Sequence, residues 1–311
     1  MKKILFLCLS VIVLAGAVSC KKKEADSGKI KAIFIAMDSV DEHWLKAKAG
    51  CEDKAKELGN VDFTFNAPQG KLDAASQLQL VEDAITRKVQ ILLLAPLNKD
   101  ALAPGVEKAK AAGIKVIIID SPIGTENYDA FLSTDNGAAA RLAADEMAKL
   151  IGNTGKIAII NAQAGAGTAM IRENDFKAQI TAKYPDITIV GTQYSDGDKT
   201  KALNIGTDFM TANPDLAGIY ACNEGSTVGA GQAIEQRGKS GAITLVGWDW
   251  TGDTKALVER GVLNASMVQN PYQMGYQGIQ VGADLIGGKT AQKSIDTGVT
   301  VVNKDNMNSI K

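Results

Sequence analysis

From Lys29 to Asp120, short runs of aliphatic and β-branched residues alternate with stretches whose apolar residues recur three or four apart. The apolar runs are "KAIFIAM", "VDFTFNA", "VQILLLAP" and "IKVIIID"; between them lie "HWLKAKAGCEDKAKELG", closed by Gly59, then "AASQLQLVEDAITRK" and "DALAPGVEKAKAAG". A strand that is apolar at nearly every position has both faces covered, the condition of a parallel sheet with crossover helices on either side. After "STDNG" the grammar restarts, with helices expected at 137–151, 171–183, 200–212 and 226–237 between "KIAIINA", "ITIVGTQ", "AGIYAC" and "ITLVGWD". "NASMVQN", a helix near 272–287 and a short closing segment follow.

Two successive open units predict an α/β protein of two Rossmann-like lobes with parallel sheets, joined by a three-strand hinge. The helix after Asn270 is needed beside the first sheet once the second is complete. One lobe is therefore expected to comprise 29–134 plus 270–297 and the other 135–269 plus 298–311. The chain should cross near Ser133-Thr134, Val268-Gln269 and Asp296-Thr297.

The first residues have a different logic. "MKKILFLCLSVIVLAGAVSC" begins with Lys2 and Lys3, continues with an apolar run and ends in small residues before Cys20. That is an export signal, too short and wrongly flanked for a stable membrane span. Residues 1–20 are read as a lipoprotein signal peptide with lipidation at Cys20, and the charged segment 21–28 as a flexible tether. The mature protein is then expected at the periplasmic or extracellular face, anchored to a membrane through its N-terminal lipid. Cys51 and Cys222 lie in apolar contexts of different lobes and are expected to be buried free thiols.

Open parallel sheets bind ligands beyond the carboxyl ends of their strands. Polar residues recur there in both units: Asp38 and Asp41, Asn98, Asp120-Ser121, Asn161 and Gln163, Asn223-Glu224, Asp249 and Gln269-Asn270. Other functions lack their residues. A net charge of −1 removes the case for nucleic acid as a partner. No glycine follows the first strand, and "AGAGTAM" has Met170 where a dinucleotide loop needs its third glycine. The one histidine, His43, has no serine elbow to serve and no His/Cys cluster to join, so neither an enzyme, a cofactor nor a metal site is expected.

The chain resembles the type I periplasmic sugar-binding proteins, the ribose- and galactose-binding family of ABC importers. The resemblance covers nearly everything after residue 28 and rests on "GIKVIIIDSP", "STDN", "RENDF", "NPDLAGIYACNE", "LVGWD" and "MVQNPYQMGYQG". It implies a ligand set of Trp44, Asp120, Arg172, Asn223, Trp248, Asp249 and Gln269, with Asp41, His43, Asn98 and Ser121 as further candidates. Asp175 stands where the family's R-x-x-G-F has glycine. The resemblance also implies a monomer that captures a monosaccharide and delivers it to an ABC transporter permease. The alternative is a sensor lipoprotein presenting its ligand to a chemoreceptor or membrane kinase.

The residue chemistry suits a sugar independently. Carboxylates accept from two vicinal hydroxyls, Arg donates in a fixed fork, and Asn and Gln both donate and accept. Trp248 is expected to wall the ligand, and Trp250 to face away if the strand continues extended. Each polar candidate has a second reading: Asp120 and Asp249 as helix caps, Arg172 in an ion pair, Trp44 in the core, His43 at the rim. The chain departs from ribose binders at Ser121-Pro122, Ala95 and His43-Trp44, and Asp38, Asp41 and Glu42 make an acidic entrance. A neutral hexose or pentose is the favoured ligand; a polyol or a furanosyl signal molecule is the alternative.

Overall fold

The computed structural model describes residues 28–69, 73–162 and 167–310. The signal peptide, Cys20, the tether up to Ser27, Gln163 and Gly165 lie outside the described residues.

The first unit runs β1 (Ile30–Ile35), α1 (Glu42–Leu58), β2 (Val61–Asn66), α2 (Ala74–Thr86), β3 (Ile91–Leu94), α3 (Lys99–Ala111), β4 (Lys115–Ile119) and β5 (Ala130–Ser133). The second runs α4 (Asn136–Leu150), β6 (Gly155–Asn161), α5 (Gly167–Lys183), β7 (Ile187–Tyr194), α6 (Lys199–Ala212), β8 (Leu216–Ala221), α7 (Glu224–Gln236), β9 (Thr244–Trp248), α8 (Gly252–Glu259) and β10 (Ala265–Gln269). The chain then returns through α9 (Pro271–Ile286), β11 (Ser294–Asp296) and β12 (Val299–Val302), ending in a 3₁₀ turn at Met307–Ser309.

Two six-stranded sheets result, ordered β11-β5-β4-β3-β1-β2 and β12-β10-β9-β8-β6-β7. The first is wholly parallel, whereas β12 pairs antiparallel with β10 in the second. Alternate residues of one strand enter opposite cores. Leu93, Ile117 and Ile119 join the cluster under α1 and α9, while Leu92, Leu94, Val116 and Ile118 join the one holding Leu102 and Val106 of α3. In the second sheet Ile160, Ile219 and Leu245 face one core, and Ile159, Tyr220 and Val246 the other. Each fully buried aliphatic side chain stabilises by about 1.5–3 kcal/mol, which is why these runs carry no polar face.

The helices start where side chains cap them. Asp41, Asp73, Asn98, Asp135, Asp198, Asn223, Thr251 and Asn270 each accept a first-turn backbone N–H. α5 begins at Gly167, four residues before the expected 171, because Thr168, Ala169 and Met170 continue the helix behind a glycine-rich run that reads as loop. Asp175, in the family's glycine position, sits within α5 and pairs with Arg141 of α4, so the helix is not interrupted. Cys51 and Cys222 are free, buried in cores of different sheets, and burial raises both thiols well above their ordinary pKa.

The chain crosses between sheets after β5, after β10 and after β11. Two crossings are tied together: Thr297 N–H donates to Ser133 O at 3.0 Å, and Asp296 Oδ1 accepts from the N–H groups of Asp135 (3.0 Å) and Gly298 (2.9 Å).

Candidate ligand-binding cleft

The two sheets present their strand ends to a common cleft of about 1630 Å3. That exceeds the roughly 300–1,000 Å3 of an ordinary small-molecule site, and part of it is the cleft's mouth. The walls nevertheless meet in places. A Cβ on Gly167 would stand 3.3 Å from Pro122 Cγ, and Lys46 Nζ of α1 donates to the Trp250 carbonyl at 3.0 Å, joining one lobe to the other.

Asp120 follows β4 and lines the cleft with a left-handed backbone, φ 65°. Its N–H donates to Leu132 O at 2.8 Å, and Oδ2 accepts from Ser121 Oγ at 2.9 Å. His43, in the first turn of α1, brings Nε2 within 3.3 Å of Asp120 Oδ1. The approach is out of line for a hydrogen bond, so this buried nitrogen has a charge partner but no hydrogen-bond partner among the described residues. Burial by itself would lower the His43 pKa. Asp120 first, then Asp249 and Asp41, more than offset it, and the imidazole is raised above its ordinary value. Burial likewise pushes Asp120 up, but His43, Ser121 and Arg172 together leave it lowered. Because Asp249 and Arg172 belong to the opposite lobe, the charges interact across the cleft.

Asp249 follows β9 and is also left-handed, φ 71°. Its carbonyl accepts from Ser266 Oγ (2.8 Å) and Thr254 Oγ1 (3.1 Å), and Oδ1 accepts from Gln269 Nε2 at 2.8 Å. Gln269 Oε1 is buried in the cleft lining without a partner among the described residues, an acceptor lacking its donor. Arg172, only 5% exposed, comes from α5. Its Nε donates to Asn136 Oδ1 at 2.8 Å and Nη1 to Cys222 O at 3.0 Å.

Two tryptophans exchange their expected places. Trp248 is fully buried and absent from the cleft lining; it packs beside Tyr220 and Phe176, with the Arg172 guanidinium 3.5 Å above its ring. Trp250 lines the cleft instead. The expectation assumed an extended chain through Asp249, whereas the positive φ there turns the strand end and redirects the residue after it. Trp44 is 5% exposed, lines the cleft, and packs edge-on against Phe34 and His43.

Asp41, Asn98 and Asn223 line the cleft while capping α1, α3 and α7. Asn223 spends Oδ1 on the Ser226 N–H at 3.2 Å, and its amide nitrogen remains as a donor. Asn161 is different. It is fully buried and bonds Ala169 O, Glu173 Oε2 and the Ala162 N–H, which makes it structural. Nor is the entrance uniformly acidic. Lys46, Lys99 and Lys199 line it too, with Lys99 paired to Asp100 and Lys199 to Glu224 and Asp253. Sequence reasoning missed Asn136, Lys46 and Trp250; of these only Asn136 had a signal, its place in "STDN".

Two α/β lobes of this topology, hinged by three segments and facing a cleft with carboxylates, an arginine, an amide and aromatic rings, define a binding protein that encloses a small polar ligand. The chain belongs to the periplasmic binding protein domain family, which it matches over residues 33–290. It is 33% identical over 250 residues to the D-allose-binding periplasmic protein of Escherichia coli, covering 78% of this chain and 79% of the relative. Identity to the ribose import binding protein of Salmonella typhimurium is 28%, covering 98% of this chain and 99% of the relative. A solved solute-binding protein from Agrobacterium vitis with bound D-fucose superposes with a TM-score of 0.81 at 39% identity, covering 89% of this chain and 96% of that one.

Proposed function

We propose that this protein captures a monosaccharide, with a neutral hexose or pentose favoured, between its two lobes and delivers it to an ABC transporter permease. The carrying observation is that Asp120 and Asp249 face one cleft from opposite sheets, with Arg172 lining the same cleft and lowering the Asp120 pKa. Two carboxylates gripping one ligand from two lobes favour the closed state by just the contacts that only closure makes. Unsatisfied groups fit this reading: Gln269 Oε1, a buried acceptor, and His43 Nε2, buried beside the Asp120 carboxylate, are atoms that sugar hydroxyls can satisfy. D-allose, ribose and D-fucose in relatives' names support a pyranose-sized neutral ligand. The ligand set is Trp44, Asp120, Arg172, Asn223, Asp249 and Gln269, with Asp41, His43, Asn98, Ser121 and Trp250 at its edge. Export and lipid anchoring through Cys20 rest on the N-terminal sequence alone.

The test is a thermal-shift screen of the mature protein against D-allose, D-ribose, D-fucose, polyols and nucleosides, followed by calorimetry. A ligand at a hundredfold excess over Kd raises stability by about 2.7 kcal/mol, readily seen as a shift in Tm. At least one neutral monosaccharide should give it; a shift with nucleosides or polyols alone would displace this reading.

A further inference from the structure

We propose that Trp248 is a positioning residue: it presses the Arg172 guanidinium into a fixed plane for the ligand without touching the ligand itself. The inference rests on the cleft reading above for its consequence, but not for its geometry.

Arg172 arrives from a helix, on a long side chain with many rotamers, yet little of that freedom is left. Asn136 Oδ1 holds Nε, Cys222 O holds Nη1, and the indole face of Trp248 lies 3.5 Å from Cζ. Two in-plane bonds and one stacked face define both the position and the tilt of a planar cation. Among the described residues Nη2 has no hydrogen-bond partner, so it is the donor left for the cleft that Arg172 lines.

The indole is itself immobilised. Its Nε1–H donates to Tyr220 Oη at 2.9 Å, and the Tyr220 ring stacks on Phe176 with centroids 3.8 Å apart and planes 4° apart. Its backbone N–H donates to Thr227 Oγ1 at 3.0 Å. The result is a continuous chain of contacts from α5 (Phe176) through β8 (Tyr220) and β9 (Trp248) back to α5 (Arg172), all of it buried. A guanidinium restrained before the ligand arrives loses less freedom when it binds. One dipeptide thus serves the site twice, with Trp248 aiming the arginine and Asp249 supplying the carboxylate.

The test uses Trp248→Phe, which keeps a ring face, and Trp248→Leu, which removes it. The first measurement is NMR of the Arg172 side chain in the ligand-free mature protein. In the unaltered chain and in Trp248→Phe, the Arg172 Nε–Hε signal should be upfield-shifted by the ring, with slowed rotation about Nε–Cζ; Trp248→Leu should lose both. The second is calorimetry with D-allose, D-ribose and D-fucose as probes. Affinity should fall about tenfold or more in Trp248→Leu and much less in Trp248→Phe, and the loss should vanish when Arg172 is already Gln. If Trp248→Leu does not fold, Trp248→Phe decides by itself. A Phe variant with a free Arg172 signal overturns the proposal, as does a loss of affinity that persists in the Arg172→Gln background. If the NMR signature holds but none of the sugars binds, the positioning stands and the sugar reading fails.

Discussion

Asp120 and Asp249 occupy the same station in the two sheets. Each follows a strand directly, each is left-handed (φ 65° and 71°), and each donates its N–H to the next strand, to Leu132 O and Met267 O. Asp and Asn tolerate that conformation better than other residues with a Cβ, so the backbone and the ligand chemistry select the same residue type.

Asp249→Asn therefore separates the two demands. Asn keeps the left-handed turn but removes the charge, so stability should move by less than about 0.5 kcal/mol while sugar affinity falls about 10- to 150-fold. Asp249→Ala should lose affinity too and cost about 1–2 kcal/mol of stability from the strained φ. Calorimetry and urea denaturation of each variant check both numbers; equal stability for Asn and Ala would show that the turn carries no conformational demand.

His43 supplies a pH dependence with a defined sign. Its pKa in the folded chain is raised from 6.5, so its contribution to stability is fully present below that value and is lost as pH rises through the raised one. Asp120, lowered from 3.8, contributes above that value and loses its contribution as pH falls through the lower one. Urea midpoints measured from about pH 6 to about pH 9 should decline more steeply for the unaltered protein than for His43→Gln. Parallel profiles would remove His43 from the linkage.

Lys46 acts as a clasp on the closed cleft. Its bond to the Trp250 carbonyl joins α1 of the first lobe to the strand end of the second. Lys46→Met keeps the aliphatic stem, and should raise the sugar dissociation rate about 2- to 10-fold with little change in Tm. Stopped-flow fluorescence, with Trp250 at the cleft as reporter, measures it directly.

The α1–α9 contact predicts a stability loss that does not act through the polar ligand groups. A Cβ on Gly50 would stand 2.0 Å from Tyr272 O, and one on Gly275 would stand 1.9 Å from Ala47 O, backbone against backbone. Gly50→Ala and Gly275→Ala should each destabilise by about 1–3 kcal/mol or more, read as a lowered Tm with affinity retained in the folded fraction.

Cys20→Ser should release the protein from the membrane fraction and leave the sugar Kd of the purified protein unchanged, as expected if residues 21–28 only tether the binder. Fractionation and calorimetry give the two halves of that answer.

Much of this architecture was legible because its signal is local and repeated. The apolar strands β1, β3, β4 and β9, and the capped helices between strands, announce themselves in any window of the sequence. β5, β11, β12 and α8 do not. β11 is three residues long with no fully buried side chain, and it exists because β5 offers it an edge. α8 follows a strand end with no loop of its own beyond Asp249–Thr251. In the cleft, the polar candidates could be found from residue type and place. The place of Trp250 could not, because it depends on one backbone angle that Asp permits without requiring, whereas the burial of Trp248 follows the alternation of β9 with Val246.

The return of the chain has a consequence for how the molecule is made. α9 packs on β3, β4 and α1, and β11 extends the edge at β5, yet both are synthesised after five of the six strands of the second sheet. A polypeptide emerging N-terminus first therefore holds an incomplete first lobe, with Ala47, Cys51, Leu93 and Ile119 lacking the helix that seals them. The second lobe, lacking only β12 and the closing turn that brings Met307 into its core, can mature while the first waits. Late closure of this kind leaves the early half loosely structured and prone to aggregation, and it keeps the chain in a thread-like state for longer.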